Sequence, residues 1–306
     1  MIPTILLTFD IEDWFQVENF KSCIPYSSWS KHEIRVEKNT HRILDLLDSI
    51  EIKPTTHQLS ATSNELDCLG NPKATFFILG WIAERIPSLV NEIYKRGHEV
   101  ASHGLCHDLI YNCSLDDVKR DLADSKNILE DLIGSRVYGY RAPSFSINND
   151  FLKIAEESGY LYDSSYNSFG LHQRYGHVDL TGAGEHGIAS QISREFYELP
   201  ISNLKFGKYN LPMGGGGYFR LLPSFIFRMG IRSILRKQGA YLFYMHPWEI
   251  DPDQPRVKQA TTLYKFRHYT NLKRTYSKLT QLIKSFSKCR FITCREYLKN
   301  LRILGF

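Results

Sequence analysis

Seven short segments rich in β-branched and aromatic residues recur along the chain, with helical patterns between most of them. They are Thr4–Asp10, Ala74–Gly80, His98–His103, Val137–Arg141, Tyr160–Asp163, Phe196–Pro200 and Ala240–His246. Arg42–Ile50, Ile82–Arg96, Leu115–Ile133, Asn149–Ser158, Pro223–Lys237 and Leu272–Phe286 read as helices. Gly97, Gly134 and Gly159 stand at three of their C-terminal ends and Ser114 at an N-cap. Such alternation predicts parallel strands with crossover helices and argues against a sandwich or a bundle. Several of the strands end in an ionisable residue: Asp10, His103, Arg141, Asp163 and His246. In a β/α barrel the C-terminal strand ends converge on one mouth, where active sites are built. Five such endings on one rim are hard to explain by core packing.

The length of 306 residues suits one α/β barrel with a loop insertion. The chain reads as a single domain, 1–306, with a polar insertion near 52–72 and a helical extension from about 256. A long Gly-, Ser- and His-rich loop over 166–194 is placed above the mouth. Net charge is +5, too mild for a nucleic-acid signature, and the basic stretch Lys258 to Lys299 has the apolar interleaving of a solvated helix face. No nucleic-acid partner is expected. The N-terminus lacks a basic region followed by a long apolar core, and no apolar run reaches the length of a membrane span. Six cysteines without CxxC pairing fit reduced thiols, so a cytoplasmic protein is expected. Oligomeric state is left open.

Four clusters carry chemistry. Asp10-Ile11-Glu12-Asp13 puts three acids within four positions at a strand end, where they repel unless a cation or an Arg offsets them. His103 and His107, four apart, can present two imidazoles to one metal; a zincin protease would need Glu where Gly104 stands. Together the two clusters supply the ligand set of a catalytic zinc with an open position. Cys106, between the histidines, is read as a buried thiol. Arg141 can hold a carboxylate through two N–H bonds, and His246 ends the last strand as a candidate acid near neutral pH.

In order and identity these clusters resemble the polysaccharide deacetylases of carbohydrate esterase family 4, which carry the NodB-homology domain. The resemblance runs from Thr8 to about Trp248. It is carried most specifically by Ala74-Thr75-Phe76-Phe77-Ile78-Leu79-Gly80-Trp81 leading to Gly97-His98-Glu99-Val100-Ala101-Ser102-His103. The acidic N-terminal cluster, with Trp14 and Phe15, is closest to a subgroup found with exopolysaccharide and exosortase loci. The glycine-rich piece Leu211 to Arg220 resembles that subgroup too, and lacking Lys-Ser/Thr it reads as a groove wall and not a nucleotide loop.

The resemblance implies a distorted (β/α)7 barrel of the NodB type. It implies Asp10 as catalytic base, Arg141 as its tether, His246 as general acid, and His103 and His107 as metal ligands. The metal carboxylate is Asp13, which keeps the family's Asp, or Glu12, which strand alternation aims to the same side as Asp10. Most members have adjacent aspartates, and the family's Asp–x–x–x–Trp/Tyr segment supporting the acid has no clear match. Pro143, Phe145 and Trp248 are expected to bind substrate, with Trp14 a further candidate to stack on sugars. The cofactor expected is a divalent metal, Zn2+ first and Co2+, Ni2+ or Mn2+ as alternatives. The activity implied is removal of N-acetyl groups from amino sugars of a polysaccharide or its biosynthetic precursor. The rivals are an allantoinase-like amidase acting on a small molecule and a carbohydrate-binding barrel without catalysis.

Overall fold

The computed structural model describes residues 2–52, 70–169, 175–207 and 209–301. The seven expected strands form: β1 (Thr4–Ile11), β2 (Ala74–Ile78), β3 (Glu99–Ser102), β4 (Gly139–Tyr140), β5 (Tyr162–Asp163), then, after the hairpin β6 (Gly184–His186) and β7 (Ala189–Gln191), β8 (Tyr197–Glu198), and finally β11 (Ala240–Met245). Their order is β11-β1-β2-β3-β4-β5-β8, parallel throughout, and β7 and β6 continue it antiparallel. These are the parallel strands with crossover helices that the alternation predicts, in the distorted β/α barrel that the resemblance implies.

Helices cover the outside: α1 (Val36–Asp48), α2 (Gly80–Arg85), α3 (Pro87–Lys95), α4 (Leu115–Ile133) and α5 (Asn149–Glu157). The helix expected over Ile82–Arg96 is two helices. Pro87 cannot donate the hydrogen bond a continuous helix needs, and Ile86 leaves the helical region at φ −131°, ψ 60°. By contrast α4 has the expected ends. Ser114 Oγ accepts from Asp117 N at 3.2 Å, and Gly134 closes it in the left-handed region at φ 62°.

Strand alternation divides the core in two. Ile5, Leu7, Phe9 and Ile11 of β1 face the helices, whereas Leu6 joins Phe77, Ala101, Tyr162, Tyr197, Leu199 and Leu242 in a second cluster inside the barrel. Both faces of β1 are buried, as expected of a parallel strand covered on each side. Following the same parity upward, Thr8 and Asp10 turn inward at the mouth.

The seam between β8 and β11 has no strand ladder among the described residues. It is closed by Leu242 N donating to Ser202 Oγ at 2.8 Å and Tyr244 N donating to Gly214 O at 2.7 Å. A Cβ at Gly214 would lie 2.6 Å from Ile201 Cγ2, so the glycine allows the chain to fill this gap. Here the glycine-rich piece departs from expectation: Gly214 and Gly215 seal the seam instead of walling a groove. It links the hairpin β9 (Asn203–Phe206) and β10 (Tyr209–Pro212) to α6 (Gly216–Leu221) and α7 (Ser224–Gln238).

The extension from about 256 forms α8 (Thr262–Tyr269), α9 (Leu272–Ser285) and α10 (Cys294–Asn300), but it is not wholly helical. A short strand, β12 (Arg290–Phe291), pairs with the lower end of β1. The insertion expected near 52–72 lies for the most part outside the described residues. No described helix is long and apolar enough to cross a membrane.

Candidate active site

Four of the five strand-end residues meet at the mouth. Arg141, just past β4, is fully buried and reaches across the barrel. Its Nη1 donates to Asp10 Oδ1 at 2.6 Å and to Thr8 Oγ1 at 2.8 Å. Its Nε and Nη2 donate to Ser164 O and Oγ, each at 2.8 Å. The guanidinium lies 4.0 Å over the Phe77 ring. Every arm that could swing is occupied, so Asp10 is held by one oxygen and offers the other to the cleft. The fifth ending, Asp163, does not join them. Its side chain falls on the opposite parity, where it accepts from Ser165 N and Oγ at 2.8 Å and lies beside Glu198.

Glu12, His103 and His107 place one ligand atom each within 4.8 Å of one another, and all three are buried. His103 Nδ1 donates to Arg141 O at 2.8 Å, which turns Nε2 toward the cluster. His107 takes a left-handed backbone, φ 57°, a conformation rare outside glycine and a mark of a constrained functional turn. Gly104 makes this turn possible at φ 77°; a Cβ there would meet Asp121 Oδ2 at 2.8 Å. His107 Nε2 stands 2.8 Å from Glu12 Oε2, yet that oxygen is buried and has no hydrogen-bond partner. A close, unbonded N···O approach in a buried site is what two ligands of a single ion present. The residues fit a divalent metal.

The carboxylate in this cluster is Glu12 and not Asp13, which corrects the first expectation. Asp13 Oδ1 accepts from Trp14 N at 2.8 Å, and Oδ2 accepts from Arg35 N and Val36 N at 2.6 and 2.9 Å. Asp13 therefore caps the start of α1 from 22 residues away and has no oxygen left to face the histidines. Burial pushes its carboxyl up to about 6 despite those bonds. Burial acts on Glu12 in the same sense, but the His107 and His246 charges outweigh it and bring that carboxyl down to about 2.

His246 sits opposite. Its Nε2 lies 3.3 Å from Glu12 Oε1 and 3.9 Å from Asp10 Oδ2. Its Nδ1 and its backbone N both meet Glu249 Oε1 at 3.0 Å, and Arg220 Nε donates to Glu249 Oε2 at 2.7 Å. Burial lowers the imidazole pKa, but the charges of Glu12, Glu249 and Asp10 prevail and raise it to about 9. Glu249 and Arg220 were not singled out from the sequence. The signal available was Glu249 three residues after His246, with Pro247 starting a tight turn.

Asp10, Glu12, His103, His107 and His246 line a cleft of about 150 Å³ together with Ala142, Ser144, Phe145, Tyr175, Tyr244, Trp248 and Arg267. Of the expected substrate contacts, Phe145 and Trp248 line the cleft. Pro143 does not: it is buried at the start of a turn whose carbonyl accepts from Ser146 Oγ at 2.7 Å. Trp14 faces the other way, donating to Glu33 O and packing on Phe15 and His32. Trp248 stacks on His246 and on His268, with centroids 5.2 and 4.1 Å away, which fixes the plane of the imidazole.

Fold and site thus define a β/α-barrel protein whose mouth holds a carboxylate–imidazole cluster flanked by an Arg-bound aspartate and a Glu-bound histidine. Residues 69–162 match the family described as polysaccharide deacetylase, and residues 164–299 match a domain of unknown function. These matches support a polysaccharide deacetylase barrel, the family that the sequence resembles. It is 35% identical over 101 residues to peptidoglycan-N-acetylglucosamine deacetylase of Bacillus cereus, covering 32% of this chain and 47% of that one. It is 28% identical over 133 residues to peptidoglycan-N-acetylmuramic acid deacetylase PdaC of Bacillus subtilis, covering 40% and 28%. The chain thus spans less than half the length of these relatives. Among solved structures it resembles a protein designated a polysaccharide deacetylase from Mycobacterium smegmatis (TM-score 0.59, 17% identity, 98% and 90% covered). It also resembles Puue allantoinase (TM-score 0.56, 12% identity, 99% and 91% covered). At such identities the likeness shows the fold alone.

Proposed function

We propose that this chain is a metal-dependent hydrolase that removes N-acetyl groups from amino sugars of a polysaccharide or its biosynthetic precursor, releasing acetate. The observation that carries the reading is the convergence on one cleft of Asp10 clamped by Arg141, the Glu12–His103–His107 cluster, and His246 backed by Glu249. The two nitrogen and one oxygen donors suit Zn2+, with Co2+, Ni2+ or Mn2+ as alternatives. Bound there, the ion supplies Lewis acidity toward an amide carbonyl and an activated water.

The chain's own residues do the rest. Asp10 takes the proton of the attacking water on Oδ2, the oxygen Arg141 leaves free. With Nδ1–H donated to Glu249 and its pKa raised to about 9, His246 is an imidazolium that carries a second proton on Nε2 and gives it to the departing amine. Phe145 and Trp248 offer apolar walls to the sugar. The proposal includes the exopolysaccharide subgroup, on the motif at Asp10 to Phe15, and a cytoplasmic setting, with which the free thiols of Cys23, Cys106, Cys113, Cys289 and Cys294 agree.

The test is acetate release from N-acetylglucosamine oligomers by purified protein, before and after chelation and with Zn2+ restored. Acetate released only with metal is expected. The allantoinase likeness makes cyclic ureides the second substrate to assay. Turnover of a ureide without acetate release from any N-acetylated glycan would replace this reading, and metal binding without either activity would favour a glycan-binding barrel.

A further inference from the structure

Charge is divided unevenly along this chain. Residues 1–198 hold 18 Lys and Arg against 29 Asp and Glu, whereas residues 199–306 hold 20 against 4. No acid occurs between Glu198 and Glu249, nor between Asp253 and Glu296. These acid-free stretches build β9, β10, α6, α7, α8 and α9. They also share a surface: β9 packs along α7, and α9 packs against both α6 and α7.

The same surface is apolar where it meets water. Phe206, Tyr209, Phe225 and Met229 are 70%, 62%, 60% and 62% exposed, and Leu221 and Ile226 join them. Tyr209 pairs directly with Phe206 across the β9–β10 hairpin, so both rings leave one face. On α7, Phe225, Ile226 and Met229 fall at i, i+1 and i+4, a single stripe beginning just beyond the end of α6. Exposed apolar groups gathered in one patch mark a binding surface, whereas scattered ones do not. Lys205, Arg232, Arg236 and Arg274 are exposed around it. Arg274 and Lys278 also line a cavity of about 460 Å³ opening beside Leu221 and Ser224.

The patch lies at the mouth end of the barrel. The hairpin leaves the C-terminal end of the β8 segment, and Asn203 Nδ2 donates to Asn167 Oδ1, in the loop above β5, at 2.8 Å. The exposed stripe occupies the start of α7, the end farthest along the chain from the base of β11.

We propose that this face docks on an anionic lipid bilayer. Phe206, Tyr209, Phe225, Ile226 and Met229 enter the boundary between headgroups and acyl chains, while the surrounding Lys and Arg pair with lipid phosphates. The combination selects the partner. A nucleic acid or an acidic polysaccharide would satisfy the charge yet leave the aromatic and aliphatic side chains in water. A second copy would set two basic faces against each other. Side chains of this length reach only the headgroup boundary, so the attachment is to one leaflet's surface. On the deacetylase reading, docking presents the cleft to glycan held at a membrane; the docking itself does not depend on that reading.

The experiment is co-sedimentation of the full chain with vesicles of phosphatidylcholine alone and of equal parts phosphatidylcholine and phosphatidylglycerol. Binding to the anionic vesicles is expected to be on the order of ten-fold tighter or more and to weaken with salt. The doubly substituted Phe225→Ser, Met229→Ser protein should lose most of that binding while keeping its melting temperature and its metal content. Lys205→Glu with Arg236→Glu should lose it as well, and serves alone if the apolar variant does not fold. Absence of vesicle binding, binding indifferent to lipid charge, or binding unchanged in the variants would overturn the proposal. So would retention on an acidic polysaccharide without any on vesicles.

Discussion

Glu249 receives His246 twice, from the backbone N–H and from Nδ1, each at 3.0 Å. The carboxylate's second oxygen is taken by Arg220, whose other arms donate to the carbonyls of Arg267, His268 and Thr270 at the end of α8. The imidazole is thereby fixed to the extension as well as to the barrel. Gly216 is part of the same construction, because a Cβ there would lie 2.2 Å from Glu249 Oε1.

Glu249→Gln tests this buttress. The amide keeps the shape but removes the charge that helps hold His246 up to about 9, so the acid loses its proton at lower pH. The expected outcome is a fall in kcat of roughly 100-fold and a downward shift of the alkaline limb of the pH–rate profile. Metal content, measured by elemental analysis, should not change. An unaltered alkaline limb would separate Glu249 from proton delivery.

At the base, Asp10→Asn should keep the metal and lower kcat by about 1,000-fold or more, since among the described residues of the cleft Asp10 is the carboxylate that Arg141 holds. Arg141→Lys cannot reproduce a guanidinium that donates at Nε, Nη1 and Nη2 at once. It should cost about 3 kcal/mol of stability as well as activity, read by urea denaturation. Full acetate release by the Asp10 variant would remove that residue from the base role.

The two acids after Asp10 separate cleanly. Glu12→Gln should weaken metal binding by at least about 100-fold in a zinc titration, because it removes the one carboxylate that reaches both imidazoles. Asp13→Asn should leave zinc bound and instead lower stability by about 1 kcal/mol, through loss of a charged cap on α1. The reverse pattern would restore Asp13 as ligand.

This pair also shows what the sequence could convey. The seven strands were legible because each is a compact apolar run bounded by turn residues, and parity alone aims Glu12 to the side of Asp10. Asp13 drew the ligand assignment by likeness to the family's Asp, and its true task depends on a helix start 22 residues away, which no local pattern encodes. Asp163 misled for the opposite reason. It ends a strand like the others, but β5 is only Tyr162–Asp163, and one residue of register decides which face the acid takes. The Arg220–Glu249 pair spans 29 positions and depends on the tertiary path of the glycine-rich segment.

Asp163 and Glu198 stand opposite each other on neighbouring parallel strands, buried, with their carboxyl groups side by side. Glu198 Oε2 has no N–H or O–H donor, so a proton shared between the acids is what satisfies it. Burial and the Asp163 charge raise the Glu198 pKa well above its ordinary 4.5. The folded state therefore keeps a proton that the unfolded state gives up above about 4.5. The stability from this group is complete below that pH and is lost as pH rises toward the folded value, by up to about 1.4 kcal/mol per pH unit. Buried His98, held down to about 3 by desolvation, works in the opposite sense: its contribution is full above about 6.5 and lost as pH falls. Glu198→Gln isolates the first effect, because the amide donates permanently where the proton sits. Urea denaturation between pH 5 and 8 should show the variant gaining on the wild type as pH rises, while the acid-side loss from His98 remains in both. Parallel stability curves would mean that Glu198 ionises with Asp163 in the folded protein.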